Sequence, residues 1–439
     1  MIWHILKYFA TFAFPVFYKK IAAKNIKNVQ VKSPVIIAMN HPNAFTDPSI
    51  FTSLAYPARI WFLARGDAFK PGLISWLLEQ IGIVPIFRIQ DGGREGLKKN
   101  EDAYQRVNHI LSKNKGMVIF AEGLCVQERR LRPLKKGVAR MVFGAYEFLK
   151  NENLVVVPVG VNYSQPDKFR STLFYNVGEP ILVKNYIEEF KINAAKGHKL
   201  LLQDLEPKMK ALITHINNKV YDKTVLQIET LCKNDLIKEK GLNKKNPEHV
   251  YIVSKEITEK VNAAEKNNKT ILDEFKIKAE SYFTEIKSNS LRDWLINDHQ
   301  NKNLNEFNFV LRILILVLGF PFHIIGLTGN YLPYTFTQKI TKKILKGNKE
   351  FYSSIAIGLG MVLFLLNYLL WFFICYAFSP AVVYPILLVV VFALCGRFSI
   401  FYYFFSLKSI GMLKALKNKK LIDEFSQKRI ELLSLINKF

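Results

Sequence analysis

Four short apolar runs punctuate the first 160 residues: Val35–Met39, Gly82–Phe87, Gly116–Phe120 and Leu154–Gly160. Each is continuous rather than alternating, and each ends at Gly, Pro or a polar or charged residue. That pattern predicts strands buried on both faces, as in an α/β sheet. From about Lys191 to Lys302 the chain turns rich in Lys, Glu and Asn. Apolar sets such as Leu201 with Leu205, Val225 with Ile228 and Cys232, and Ile257 with Val261 have helical spacing. A break is expected between Gly241 and Pro247. This stretch, 191–305, reads as a helical spacer or lid.

The later pattern is that of a membrane module, 306–405. No charged side chain occurs between Phe351 and Gly396, a length sufficient for two spans. Ser379-Pro380 marks a turn, which predicts a hairpin of 354–378 out and 382–405 back. Arg397 near the inner end can snorkel to headgroups. An earlier uncharged run, Ile313–Gln338, contains Pro321, His323, Gly326, Gly329, Asn330 and Pro333. These residues are expected to interrupt a helix, so 313–338 reads as re-entrant or interfacial. Residues 1–30 are apolar and aromatic at first, broken by Lys7 and Pro15. They read as an interfacial amphipathic helix, with a signal-anchor as the alternative.

Charge sharpens the topology. Lys339 to Lys349 holds five lysines and no acid, and Lys408 to Phe439 holds eight basic against three acidic residues. The positive-inside rule puts both on the cytoplasmic side, leaving 406–439 as a basic cytoplasmic tail. The 439 residues are 50% hydrophobic, with 34 Phe and a net charge of +26. Such a basic excess fits nucleic acid or anionic lipid. No nucleic-acid motif stands out and the apolar runs favour a bilayer. Four scattered cysteines suggest neither a disulfide framework nor a metal site.

Candidate chemistry sits at the strand ends. Asn40-His41-Pro42-Asn43-Ala44-Phe45-Thr46-Asp47 follows the first strand. An imidazole with one nitrogen held by a carboxylate keeps the other available as a general base. Alone, such a pair is more often structural. Arg88 ends the second strand, and Glu122-Gly123 follows the third. Leu134-Lys135-Lys136-Gly137 comes next, and Pro158 lies in the fourth.

Taken together, these blocks resemble the glycerol-3-phosphate and lysophosphatidate acyltransferase superfamily over roughly Lys32–Pro180. That family carries a His-x4-Asp motif, an Arg-bearing block, a Phe-Pro-Glu-Gly block and a proline-bearing block. This chain departs from it in three places. Its His–Asp gap is five residues, which resembles the eukaryotic glycerol-phosphate acyltransferase branch and related bacterial proteins. Ala121 replaces the proline. Leu124-Cys125-Val126 replaces Thr-Arg-Ser, leaving Arg129, Arg130 and Arg132 as candidates for the missing arginine.

The resemblance implies an α/β catalytic domain over 31–190, with a mixed sheet and flanking helices, followed by helices and transmembrane segments. It implies O-acyl transfer from an acyl thioester, acyl-CoA or acyl-carrier protein, to a hydroxyl of glycerol-3-phosphate or 1-acylglycerol-3-phosphate. No further cofactor, metal or nucleic acid is expected. His41 would be the base and Asp47 its partner. Arg88 would bind the acceptor phosphate, and Glu122 and Gly123 the glycerol hydroxyl side. Lys135 and Lys136 would be further phosphate contacts, or else a solvated basic turn. Pro158 would shape the strand exit and border the acyl path. The catalytic domain would face the cytoplasm, where the donor is. The alternatives are another lysolipid or amino-acid-lipid acceptor, or a catalytically idle membrane scaffold that keeps the fold.

Overall fold

A computed structural model describes residues 11–30, 32–66, 72–80, 82–87, 100–345 and 347–439. The chain divides into two compact units. The first comprises the described residues up to Asn217, together with Lys245–Lys255 and Asn348–Ser354. Its centre is an eight-stranded sheet: β1 (Lys20–Lys24), β2 (Val35–Met39), β3 (Ile60–Arg65), β4 (Ile83–Ile86), β5 (Gly116–Phe120), β6 (Val155–Tyr163), β7 (Thr172–Val177) and β8 (Ile181–Leu182). The order is β1-β7-β6-β2-β5-β3-β4, with β8 also on β6. The pairs β2–β5, β2–β6, β3–β5, β3–β4 and β1–β7 are parallel, whereas β6–β7 and β6–β8 are antiparallel. The sheet is therefore mixed.

All five residues of β2 are buried, as its unbroken apolar run requires between two parallel neighbours. Helices Asn100–Ser112, Lys136–Leu149 and Ala194–Ala211 bury apolar faces in one core with Ile36, Met117 and Val156. Each fully buried Val, Ile or Leu contributes about 1.5–3 kcal/mol by leaving water. The strands β2, β5, β3, β4 and β6 run in one direction, so their C-terminal ends share one edge. The chain leaves β2 toward β3, on one side, and leaves β5 toward β6, on the other. The loops after the neighbouring strands β2 and β5 therefore meet at that edge, the usual place for a site on such a sheet.

The second unit comprises Asn218–Lys244, Glu256–Gly347 and Ile355–Phe439. Among the described residues three helices are long and apolar enough to cross a membrane, Glu306–Leu345, Lys349–Phe378 and Val383–Lys417, and all but 349–354 of them belong to this unit. The turn expected at Ser379-Pro380 is present, between helices Tyr352–Phe378 and Val383–Lys417.

Several boundaries are corrected. Residues 20–24 are an edge strand paired with β7, so 1–30 is not a helix throughout; residues 11–17 are helical. The helical stretch 191–305 divides between the units. The run 313–338 is not interrupted but lies inside one continuous helix, Glu306–Leu345. Pro333 removes the donor that would bond the Gly329 carbonyl, and the Asn367 side chain supplies one instead, at 2.8 Å. The expected end at 405 is passed, because that helix continues to Lys417. The tail is no loose segment, since Lys419–Ile436 is a helix with Ile422, Phe425, Leu432 and Leu435 buried. Its Arg429, 2% exposed, donates to Asp293, Gln300 and the Leu231 carbonyl.

Candidate active site

β2 delivers Asn40 and His41 to that edge. Just past the strand, the Asn40 side chain continues the ladder. Its Nδ2 donates to the Val161 carbonyl at 3.1 Å, and its Oδ1 accepts from the Val161 amide at 2.7 Å. The loop start is thereby pinned to β6. The chain then turns at Asn43, whose carbonyl accepts from the amides of Thr46 and Asp47. Ala44 takes a positive φ of 22°, and its amide donates to Cys125 Sγ at 3.0 Å. Helix Thr46–Leu54 begins there, with Asp47 in its first turn, where a carboxylate suits the helix dipole.

Asp47 is fully buried and its carboxylate has three donors. His41 Nδ1 lies 3.0 Å from Oδ2, the Asn43 amide donates to Oδ2 at 2.7 Å, and the Tyr163 hydroxyl donates to Oδ1 at 2.7 Å. The Tyr175 hydroxyl donates to the Asp47 backbone carbonyl at 2.8 Å. Burial, and next the negative charge of Asp47, push the phenols of Tyr163 and Tyr175 well above their ordinary value. They stay protonated and remain donors. A carboxylate can only accept, so it selects the imidazole tautomer with its proton on Nδ1 and its lone pair on Nε2. The ring lies flat on Phe120, with centroids 3.6 Å apart and planes 14° apart. The side chain is 14% exposed, and no group among the described residues bonds Nε2. This is the geometry that a general base requires.

Glu122 is also buried, and burial raises its carboxyl above the usual range. The Arg132 amide, donating at 2.8 Å, and the His41 amide offset part of that cost. Glu122 thus braces the loop after β5 against the backbone of His41. Gly123 has φ +66°, the left-handed region that suits glycine. A Cβ there would come within 3.2 Å of Lys135 Cγ, so Gly123 and Lys135 are neighbours. Lys135 and Lys136 are exposed at the start of helix Lys136–Leu149. Arg130 and Arg132 both pair with Glu128, and the Arg129 carbonyl accepts from the Ile216 amide. Arg88 lies outside the described residues. Pro158 lies buried within β6, opposite Ala38, rather than at the strand exit. Its carbonyl accepts from Gly178, so its nitrogen faces the point where the partner of β6 changes from β8 to β7. No ladder donor is required there.

The structure therefore brings together His41, Asp47, Glu122, Gly123 and Lys135. Sequence reasoning missed Tyr163, Tyr175, Asn40, Asn43 and Phe120. One signal was available: Asn162-Tyr163 extends the fourth apolar run on the same sheet edge as His41.

Comparison with known proteins agrees with this chemistry. Residues 20–162 match the family model described as Acyltransferase. Glycerol-3-phosphate O-acyltransferase 1 of Saccharomyces cerevisiae is 41% identical over 78 residues, 18% of this chain and 10% of that protein. Glycerol-3-phosphate O-acyltransferase 2 of the same yeast is 37% identical over 93 residues, 21% of this chain and 12% of the other. The chain thus spans only about a tenth of the length of these two relatives. The chloroplastic 1-acyl-sn-glycerol-3-phosphate acyltransferase LPAT1 of Arabidopsis thaliana is 26% identical over 156 residues, 35% of this chain and 39% of that one. The crystal structure of the 1-acyl-sn-glycerophosphate (LPA) acyltransferase PlsC from Thermotoga maritima aligns with 48% of this chain and 79% of its own, at TM-score 0.34 and 16% identity. The segment that carries His41, Asp47 and Glu122 lies within the match to the Acyltransferase family model.

Proposed function

We propose that this protein transfers a fatty acyl group from an acyl thioester to a hydroxyl of a phosphate-bearing glycerol at a membrane surface. The observation that carries the reading is His41, whose Nδ1 is held by the buried Asp47 while no group among the described residues bonds Nε2. Nε2 takes the proton of the acceptor hydroxyl as its oxygen attacks the thioester carbonyl. The carbon–sulfur bond then breaks, and the imidazolium returns the proton to the departing thiolate. An ester and a free thiol result, and no enzyme nucleophile is required because the thioester is already activated. Arg88 would hold the acceptor phosphate, with Lys135 and Lys136 near Gly123 as further cations. Glu122 would keep the loop after β5 in place beneath the glycerol. Either acyl-CoA or acyl-carrier protein serves as donor, and the catalytic unit would face the cytoplasm.

Glycerol-3-phosphate is the preferred acceptor, because identity is higher to the two yeast glycerol-3-phosphate enzymes. 1-Acylglycerol-3-phosphate is the second reading, supported by the longer match to the Arabidopsis protein. The test is full-length protein in membranes with radiolabelled acyl-CoA, offered the two acceptors in parallel. Wild type should acylate glycerol-3-phosphate, and His41→Ala should lose on the order of 100- to 10,000-fold in kcat. Activity of His41→Ala within about threefold of wild type would refute the general-base role, since that loss is far below the cost of removing a base.

A further inference from the structure

Asn43 sits between the catalytic pair and a distant part of the chain. Its amide fixes Asp47 Oδ2. Its side chain is fully engaged: Nδ2 donates to the Tyr18 hydroxyl at 3.2 Å and to the Pro166 carbonyl at 3.0 Å, and Oδ1 accepts from the Ser353 hydroxyl at 2.5 Å. Ser353 is 310 positions away in sequence yet belongs to the same compact unit. It is fully buried, as are Asn43 and Tyr18. Because its proton goes to Asn43, its oxygen accepts from the Thr46 hydroxyl at 3.3 Å. Ser354 adds two contacts to Thr46, with its Oγ 2.9 Å from the hydroxyl and 3.2 Å from the amide. Around them, Phe351 packs on Phe45, Tyr352 on Phe17, and the Lys349 carbonyl accepts from Gln127. The loop from His41 to Asp47 is thus closed from outside by 349–354. Ser353 lies in the first turn of a helix long and apolar enough to cross a membrane.

We propose that Ser353 is a positioning residue for the His41–Asp47 pair, acting through Asn43. This rests on the acyltransferase reading. Without the Ser353 hydroxyl, Asn43 Oδ1 is a buried acceptor with no donor. The Asn43 peptide then shifts to find one, and the Asp47 carboxylate that it holds shifts with it. Small misplacements of a catalytic group cost rate rather than binding. Ser353 touches neither substrate.

The experiment compares full-length wild type, Ser353→Ala, Ser353→Cys, Ser353→Thr and His41→Ala in membranes, with both substrates varied. Ser353→Ala and the near-isosteric Ser353→Cys should each lose about tenfold in kcat, with both KM values within about twofold of wild type. Ser353→Thr, which keeps the hydroxyl, should recover most of the loss. In an Asn43→Ala background, Ser353→Ala should cost nothing more, because the contact is already gone. A kcat of Ser353→Cys within about twofold of wild type overturns the proposal while leaving the reaction assignment intact. So does a loss that multiplies with that of Asn43→Ala. Wild type without His41-dependent transfer overturns both.

Discussion

Asp47 holds one histidine with the help of two other donors, and its orientation depends on all three. Tyr163→Phe removes the donor to Oδ1 and leaves that oxygen buried and unpaired. A buried acceptor left without its partner costs about 1–3 kcal/mol. The expected result is a lower thermal midpoint and a kcat reduced about tenfold, with the acceptor KM nearly unchanged. Steady-state kinetics and a melting curve on one preparation would check both. The His41–Asp47 pair was legible in the sequence because its members are six positions apart on one turn. Tyr163 was not, since it meets Asp47 across 116 positions and only because β6 pairs with β2. Glu122 was legible as an acid at a strand end. That its carboxylate braces backbone amides of the loop was not, because backbone donors leave no mark on residue identity.

Among elements, the buried parallel strands β2, β4, β5 and β6 were readable, since burial on both faces makes them apolar, whereas β3 between β5 and β4 was missed. β1 escaped notice because it is an edge strand with lysine at both ends, and its conformation comes from pairing with β7. The run 313–338 was misread for an instructive reason. Its glycines and Asn330 look like helix breakers but serve packing. A Cβ on Gly326 would lie 2.3 Å from the Cys395 carbonyl oxygen and 2.2 Å from Ser399 Oγ. One on Gly329 would meet Phe392 at 2.3 Å. Asn330 donates to the Phe392 carbonyl and accepts from Tyr368. Small residues let two apolar helices approach closely where lipid gives no hydrophobic drive. Gly326→Ala should therefore destabilise by about 1–3 kcal/mol through overpacking. Gly358→Ala, where a Cβ meets nothing within 4 Å, should be neutral or slightly stabilising. Denaturation of the two variants in detergent would separate these outcomes.

For the whole molecule, connectivity constrains topology. The described residues up to Asn217 and 348–354 belong to one compact unit. Between 218 and 305 no candidate span occurs. The expected arrangement keeps 339–349 and 406–439 on the face of this unit, with Tyr352–Phe378 and Val383–Lys417 as a hairpin between them. Cysteines placed at Lys191, Lys342 and Lys420, in a background lacking the native cysteines, should resist an impermeant thiol reagent until cells are permeabilised, and one at Ser379 should react from outside. Labelling at Lys342 but not at Lys191 in intact cells would contradict this arrangement. The two-part organisation was legible from composition alone. That the catalytic unit takes pieces from 245–255 and 348–354 was not, because short segments carry no signal of what they will pack against. Their membership has a consequence in time. A ribosome makes Asn43 and Thr46 long before Ser353 and Ser354, so the catalytic loop stays unclosed while more than half of the chain is still to come. The residues that close it emerge only as the helix beginning at Tyr352 starts to leave the ribosome. A nascent chain that has not reached Ser353 therefore carries His41 in a loop that 349–354 has yet to close.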